Sequence, residues 1–215
     1  MTGTLFVINP NSSDTVTEGI AEAIAPLRNL PAPVTCLTLA EGPPGIESQA
    51  QADETIAPML AMAARLEPEA AGYVVACFGD PGVHALRDRT AKPVLGIQEA
   101  AVATALTLGQ RFGIIAILPA SIPRHLRSLG AMGVLDRLAG DRALNLGVAA
   151  LADPAATETR LVETGRALRD LDGAEVLILG CAGMARYRAP LEQALDIPVI
   201  DPCQAAVSML QGRIA

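Results

Sequence analysis

An α/β fold made of two pseudo-symmetric lobes is predicted by three features of the sequence. Short apolar runs alternate with longer segments of helical period, which implies parallel sheets covered by helices. Those runs are continuously apolar instead of alternating, as strands buried on both faces require. Local sequences also recur about half a chain apart. Val-Val-Ala-Cys77-Phe-Gly79 returns as Ile-Leu-Gly-Cys181-Ala-Gly183, 104 positions on. Pro93-Val94 returns as Pro198-Val199, and Ala100-Ala101-Val102 as Ala205-Ala206-Val207, each 105 on. Ile8-Asn9-Pro10-Asn11-Ser12 is echoed loosely by Ile117-Leu118-Pro119-Ala120-Ser121, 109 on.

In chain order, strands are expected at Leu5–Ile8, Val34–Leu39, Tyr73–Ala76, Val94–Gly96, Gly113–Ile117, Val176–Leu179 and Val199–Ile200. Helices are expected at Thr15–Leu27, Ala52–Leu66, Gly82–Arg89, Glu99–Leu108, Pro123–Leu138, Glu158–Leu171, Ala189–Leu195 and Gln204–Gln211. Thr15-Val16-Thr17-Glu18 reads as a capping box for the first of them. Segment Asp141–Pro154 has no clear period. The duplication divides these elements into two flavodoxin-like lobes, residues 1–97 plus 198–215 and residues 98–197, facing each other across an inter-lobe cleft. The chain crosses over after Val94–Gly96 and returns before Val199.

Composition removes several classes of function. The net charge of −7 and the single lysine, Lys92, exclude a nucleic-acid surface, which needs clustered positive charge. Lys92 stands at a strand start, a poor place for the buried imine of a pyridoxal-phosphate enzyme. No run approaches the roughly 18 apolar residues of a membrane helix. The amino end reaches Leu5-Phe6-Val7-Ile8 without a basic region or cleavage site, so a cytoplasmic protein with reduced thiols is expected. Cysteines at 36, 77, 181 and 203 form no Cys-x-x-Cys pair, and with two histidines a metal site would lack ligands. No metal and no cofactor are therefore expected.

Ligands of open parallel sheets bind beyond the carboxyl ends of the strands. Asn9–Ser13, Cys77–Gly82, Leu118–Ser121 and Cys181–Met184 all fall at such ends. Asp80 and Pro81 read as the N-cap and first position of a helix, so the helix dipole should lower the Cys77 pKa. Cys181 lacks such a cap but is flanked by Gly180 and Gly183, which bare the backbone around its sulfur. Facing halves would bring both thiols to opposite walls of one cleft, the arrangement that inversion of a stereocentre needs. Cys36 and Cys203 read as structural, His84 as a solvated helix residue and His125 as a surface or capping residue. Glu47 reads as part of a helix start, and the polar turn at Asn9 could hold carbonyl or imide oxygens.

Together these segments resemble the aspartate/glutamate racemase superfamily and, within it, the hydantoin and allantoin racemases. The resemblance runs from Ile8-Asn9-Pro10-Asn11-Ser12 through Gly45-Ile46-Glu47, Ala76-Cys77-Phe78-Gly79-Asp80-Pro81-Gly82, Leu118-Pro119 and Leu179-Gly180-Cys181-Ala182-Gly183-Met184 to Pro198-Val199-Ile200-Asp201. It implies a cofactor-independent, two-base racemase of a small molecule, expected to be a homo-oligomer. Its catalytic pair would be Cys77 and Cys181, with substrate contacts near Asn9, Ile46, Phe78, Gly79, Leu118, Ala182 and Gly183. Amino-acid racemases of the superfamily carry Cys-Asn-Thr and Cys-Thr-His around the thiols. Phe78 and Ala182 follow the sulfurs here, which favours a neutral, flat ring over a zwitterion. Where hydantoin racemases often read Thr-Thr-Leu-Pro-Arg-Ser, this chain has Ala116–Ser121 as Ala-Ile-Leu-Pro-Ala-Ser, and Gly79 is closer to the allantoin enzymes. Other readings are an amino-acid racemase of the Asp/Glu type, cis-trans isomerisation or decarboxylation of a small dicarboxylate, and a small-molecule-binding or thiol-redox protein.

Overall fold

A computed structural model describes residues 3–27 and 31–214. The ends of the expected lobes at 1–2 and 215, and positions 28–30, lie outside the described residues. The first half contains β1 (Thr4–Asn9), α1 (Asp14–Ala23), β2 (Val34–Thr38), α2 (Gln49–Glu54), α3 (Ile56–Leu66), β3 (Ala70–Val75), α4 (Val83–Arg87), β4 (Val94–Gly96) and α5 (Ile97–Ala105). The second contains β5 (Phe112–Ala116), α6 (Ile122–Met132), β6 (Leu138–Ala143), α7 (Pro154–Asp170), β7 (Val176–Leu179), α8 (Arg188–Leu195), β8 (Val199–Ile200) and α9 (Pro202–Ile214). Each half forms a four-stranded parallel sheet, in the orders β2-β1-β3-β4 and β6-β5-β7-β8. The fold is thus α/β with two lobes of matching topology.

The repeats in sequence mark equivalent joints. Tyr73 donates its backbone N–H to Pro93 O and Leu177 donates to Pro198 O, both at 2.9 Å. Leu39 donates to Asn9 O and Leu144 to Ala116 O, again both at 2.9 Å. This equates Asn9 with Ala116, so the loose echo of the first turn is out of register by two residues, and Leu118 corresponds to Asn11. The repeated Ala-Ala-Val triplets lie on α5 and α9, which pack directly on each other. Val102 and Val207 are both fully buried there. Each helix follows the fourth strand of its own half and covers strands of the other: α5 packs on β7 and β8, α9 on β3 and β4. The largest core joins the halves along this seam, and a smaller core fills the outer side of each lobe.

Local chemistry explains where the elements depart from expectation. Helix α1 is capped by Ser13, whose hydroxyl accepts from Val16 N at 3.3 Å, so the box expected from Thr15 does not form. The expected helix Ala52–Leu66 is two helices. Pro58 has no N–H to give Glu54, and the chain restarts at Ile56 with buried Thr55 between. Helix α6 stops at Met132 because Gly133, at φ 72°, turns the chain left-handed. That leaves Leu138–Ala143 free to form β6, a strand the sequence did not suggest. It is a half-exposed edge strand, so it has no apolar run. Strand β8 pairs with β7, so Val199–Ile200 belongs to the second sheet, and the chain returns only with α9.

Candidate active site

At the end of β1, Asn9 is 1% exposed and spent on its own turn. Its Nδ2 reaches Asn11 Oδ1 (2.9 Å) and Thr17 Oγ1 (3.0 Å), and its Oδ1 accepts from Asn11 N (3.2 Å). The turn therefore presents Asn11, not Asn9, to the cleft. Cys77 follows β3, which Ala76 extends by donating to Ile8 O at 2.8 Å. The loop then turns through Gly79 (φ 106°) and Asp80 (φ 51°), a path that glycine takes freely and aspartate only when held. Asp80 is held because its carboxylate accepts from Gln98 N and Glu99 N, each at 2.8 Å, at the start of α5. Gly96 makes this possible: a Cβ there would sit 2.1 Å from Asp80 Cγ. Asp80 thus caps α5, not the helix after Cys77, which is the short α4 with Gly82 before it.

Cys181 follows β7 after Gly180. A Cβ at 180 would come 2.6 Å from Ile115 O, so glycine lets the strand end approach β5. Gly183 donates its N–H to Cys181 Sγ at 3.4 Å as the short 3-10 helix Ala182–Tyr187 begins. Among the described residues Cys77 has no such donor; its thiol instead faces Phe78 O at 3.7 Å.

Both cysteines line one cavity of about 30 Å3, together with Asn11, Ile46, Phe78, Arg124, Val148 and Ala182 among others. A neighbouring depression of about 180 Å3 shares Ile46, Phe78 and Arg124 as walls and adds Gln49, Gly79 and Arg127. Ile46, Phe78 and Ala182 therefore border the thiol cavity and Gly79 borders the depression. Asn9, Leu118 and Gly183 line neither space. Leu118 packs into the second lobe and accepts from Ser121 N.

Both cysteines are half-buried and line this space. Burial pushes Cys77 up to about 12; proximity to Cys181 adds to this and the Arg124 charge opposes it. Burial likewise pushes Cys181 up to about 11, with the Gly183 N–H opposing it and Glu47 adding to it. The lowered Cys77 pKa expected from a helix start is not found, because α4 begins too late and Asp80 points away from it. Cys203 is fully buried and Cys36 packs against the core, both outside the cavity lining.

Several residues of the cleft were not anticipated. His125, expected at the surface, is 1% exposed. Its Nδ1 meets Asp141 Oδ2 at 2.7 Å, and its ring packs edge-on against Phe78 at 4.8 Å. Ser121, Arg124 and His125 follow an i, i+3, i+4 spacing that places them on one helical face at the cleft, a signal present in the sequence. Glu47 does more than start a helix: its Oε1 accepts from Val148 N at 2.9 Å and ties the first lobe to the second. His84 is exposed, as expected. Among the described residues no group of three or more His, Cys, Asp or Glu is placed to hold a metal ion, and no helix is long and apolar enough to cross a membrane.

Comparison with known proteins places this geometry. The model of the Asp/Glu/Hydantoin racemase family matches residues 5–210. The chain belongs to that family. It is an enzyme of the racemase kind, an isomerase. A hydantoin racemase of Paenarthrobacter aurescens is 37% identical over 219 residues, covering 98% of this chain and 91% of the relative. An allantoin racemase from Klebsiella pneumoniae superposes with a TM-score of 0.92 at 34% identity, covering 99% of this chain and 88% of that one. An allantoin racemase from Pseudomonas fluorescens superposes at 0.94 with 27% identity, covering 98% and 90%.

Proposed function

We propose that this racemase inverts C5 of a 5-substituted hydantoin or of allantoin by proton transfer between Cys77 and Cys181, without a cofactor. The observation that carries the reading is that pseudo-equivalent strand ends of the two lobes supply two thiols to the wall of one cavity. The names of the similar racemases support the substrate class.

In this mechanism one sulfur starts as thiolate and the other as thiol. The thiolate takes the C5 proton, and the C–H electron pair delocalises into the C4 carbonyl. The opposite thiol then gives its proton to the other face of C5, which restores the carbonyl. Each turnover exchanges the protonation states of the two sulfurs and consumes nothing. Mutual repulsion suits this scheme, because a charge on one sulfur makes loss of the second proton harder. Gly183 N–H steadies Cys181 when it carries charge, and the Arg124 guanidinium does the same for Cys77. Ile46, Phe78 and Ala182 would flank the ring, with Gly79 beside its substituent. A ring exceeds the 30 Å3 cavity between the thiols, so binding must shift the shared walls Ile46, Phe78 and Arg124 and join it to the depression beyond.

The test is to follow the optical rotation of enantiopure allantoin and several 5-substituted hydantoins in deuterated buffer. Rotation should decay to zero while C5 gains deuterium. Stable rotation across the panel, or a reversible Cys77–Cys181 disulfide in its place, would overturn the reading.

A further inference from the structure

The depression beside the thiols carries more positive charge than steadying the Cys77 thiolate requires. Arg124 and Arg127 line it with Gln49, against apolar walls from Ile46, Ala52, Phe78 and Pro81. No acidic residue lines either this space or the thiol cavity, in a chain whose net charge is −7. Arg127 Nη2 donates to Gln49 Oε1 at 2.6 Å, so that side chain is held at the rim. Arg124 reaches further in. Its Nη2 makes one long bond to Ser121 Oγ at 3.4 Å, and its Nη1 is buried without a hydrogen-bond partner. A buried guanidinium N–H left unpaired is costly, and a carboxylate is the ligand whose two oxygens match its fork.

We propose that the Arg124–Arg127 depression binds a carboxylate on the C5 substituent, so that the preferred substrates are hydantoins bearing a short carboxyalkyl side chain. This rests on the racemase reading above and names the substrate within it. The room of about 180 Å3 suits a chain of one or two methylenes ending in a carboxylate. Ile46 and Phe78 would pack on the methylenes, while Arg124 takes the charge and Arg127 adds a weaker, more solvated attraction. Allantoin, whose ureido group is neutral, would bind less tightly.

Binding and turnover are measured separately. Titration calorimetry with 5-(carboxymethyl)hydantoin and its neutral amide isostere, 5-(carbamoylmethyl)hydantoin, gives a carboxylate-over-amide affinity ratio for each form of the full chain. The wild-type ratio should be roughly ten- to a hundredfold, the range of a charge-assisted bond in a partly buried site. It should collapse toward one in Arg124→Gln and fall by a few-fold in both Arg127→Gln and Arg124→Lys, since lysine keeps the charge but not the fork. A wild-type ratio near one, or an unchanged ratio in Arg124→Gln, overturns the proposal; so does an equal loss of both ligands, which would assign Arg124 to the Cys77 thiolate alone. If the ratio behaves as expected but optical rotation never decays, the carboxylate site stands and the racemase chemistry fails.

Discussion

The two cysteine loops occupy the same place in matching folds, yet they are built from different parts. The Cys77 loop is braced from outside itself: Asp80 reaches to the start of α5 and fills the space that Gly96 leaves open. The Cys181 loop is braced by its own backbone, with Gly180 close to β5 and Gly183 N–H on the sulfur. In the second half the cap of α9 comes from Asp201, at the position equivalent to Gly96, which accepts from Gln204 N at 2.7 Å. A duplicated fold therefore fixed where the thiols stand, while the loops diverged in what surrounds them. Burial raises both thiols, and the Gly183 N–H on its sulfur makes Cys181 the easier of the two to ionise.

The comparison breaks most visibly if one thiol is dispensable. Cys77→Ser and Cys181→Ser should each lower the rate of racemisation by roughly 10²–10⁴-fold, measured by polarimetry, since each removes an acid/base group. Wild-type rates in either variant would show that the halves are not chemical partners. The bracing of the first loop is probed by Asp80, whose carboxyl burial pushes up to about 7. Its folded-state pKa lies above the unfolded one, so the folded state holds the proton more tightly. Asp80 thus favours folding most below about pH 4, and that advantage fades as pH rises through 7. Across that window, the stability of the wild type relative to Asp80→Asn should fall by on the order of 4 kcal/mol in urea denaturation. A constant difference would contradict the burial argument.

Smaller effects sharpen the contrast. Because both thiols lie high, the reactive singly deprotonated pair should become more abundant with pH. The value of kcat/KM should rise about tenfold per pH unit between 7 and 9. A bell centred near neutrality would mean that substrate binding or another base controls ionisation. Last, an aromatic disulfide reagent should label Cys181 faster than Cys77, as mapped by mass spectrometry. The larger thiolate fraction expected of Cys181, steadied by the Gly183 N–H, is partly offset by the lower nucleophilicity of the less basic sulfur. Equal labelling or the reverse order would remove the proposed asymmetry.

Much of this was legible in the sequence, for physical reasons. Continuous apolar runs such as Phe6-Val7-Ile8 and Val176–Leu179 are what buried parallel strands must look like, and their order gave the fold. The repeats of Pro-Val and Ala-Ala-Val pointed to joints of the pseudo-symmetric seam, and the recurring cysteines to the same cavity. What escaped depended on long-range partners. Asp80 looked like a local cap because nothing nearby in sequence shows that Gly96 vacates the space for its carboxylate. His125 looked like a surface or capping residue because its partner, Asp141, lies on an edge strand with no apolar signature. Arg124 was passed over because whether a cation is paired or orphaned cannot be read from its neighbours in the chain.

The most direct test of two sulfurs serving opposite faces of one carbon is deuterium incorporation at C5 by the single variants, each enantiomer incubated alone in D2O. Cys77→Ser should exchange one enantiomer without inverting it, and Cys181→Ser should exchange only the other. Exchange of the same enantiomer by both variants would contradict the account.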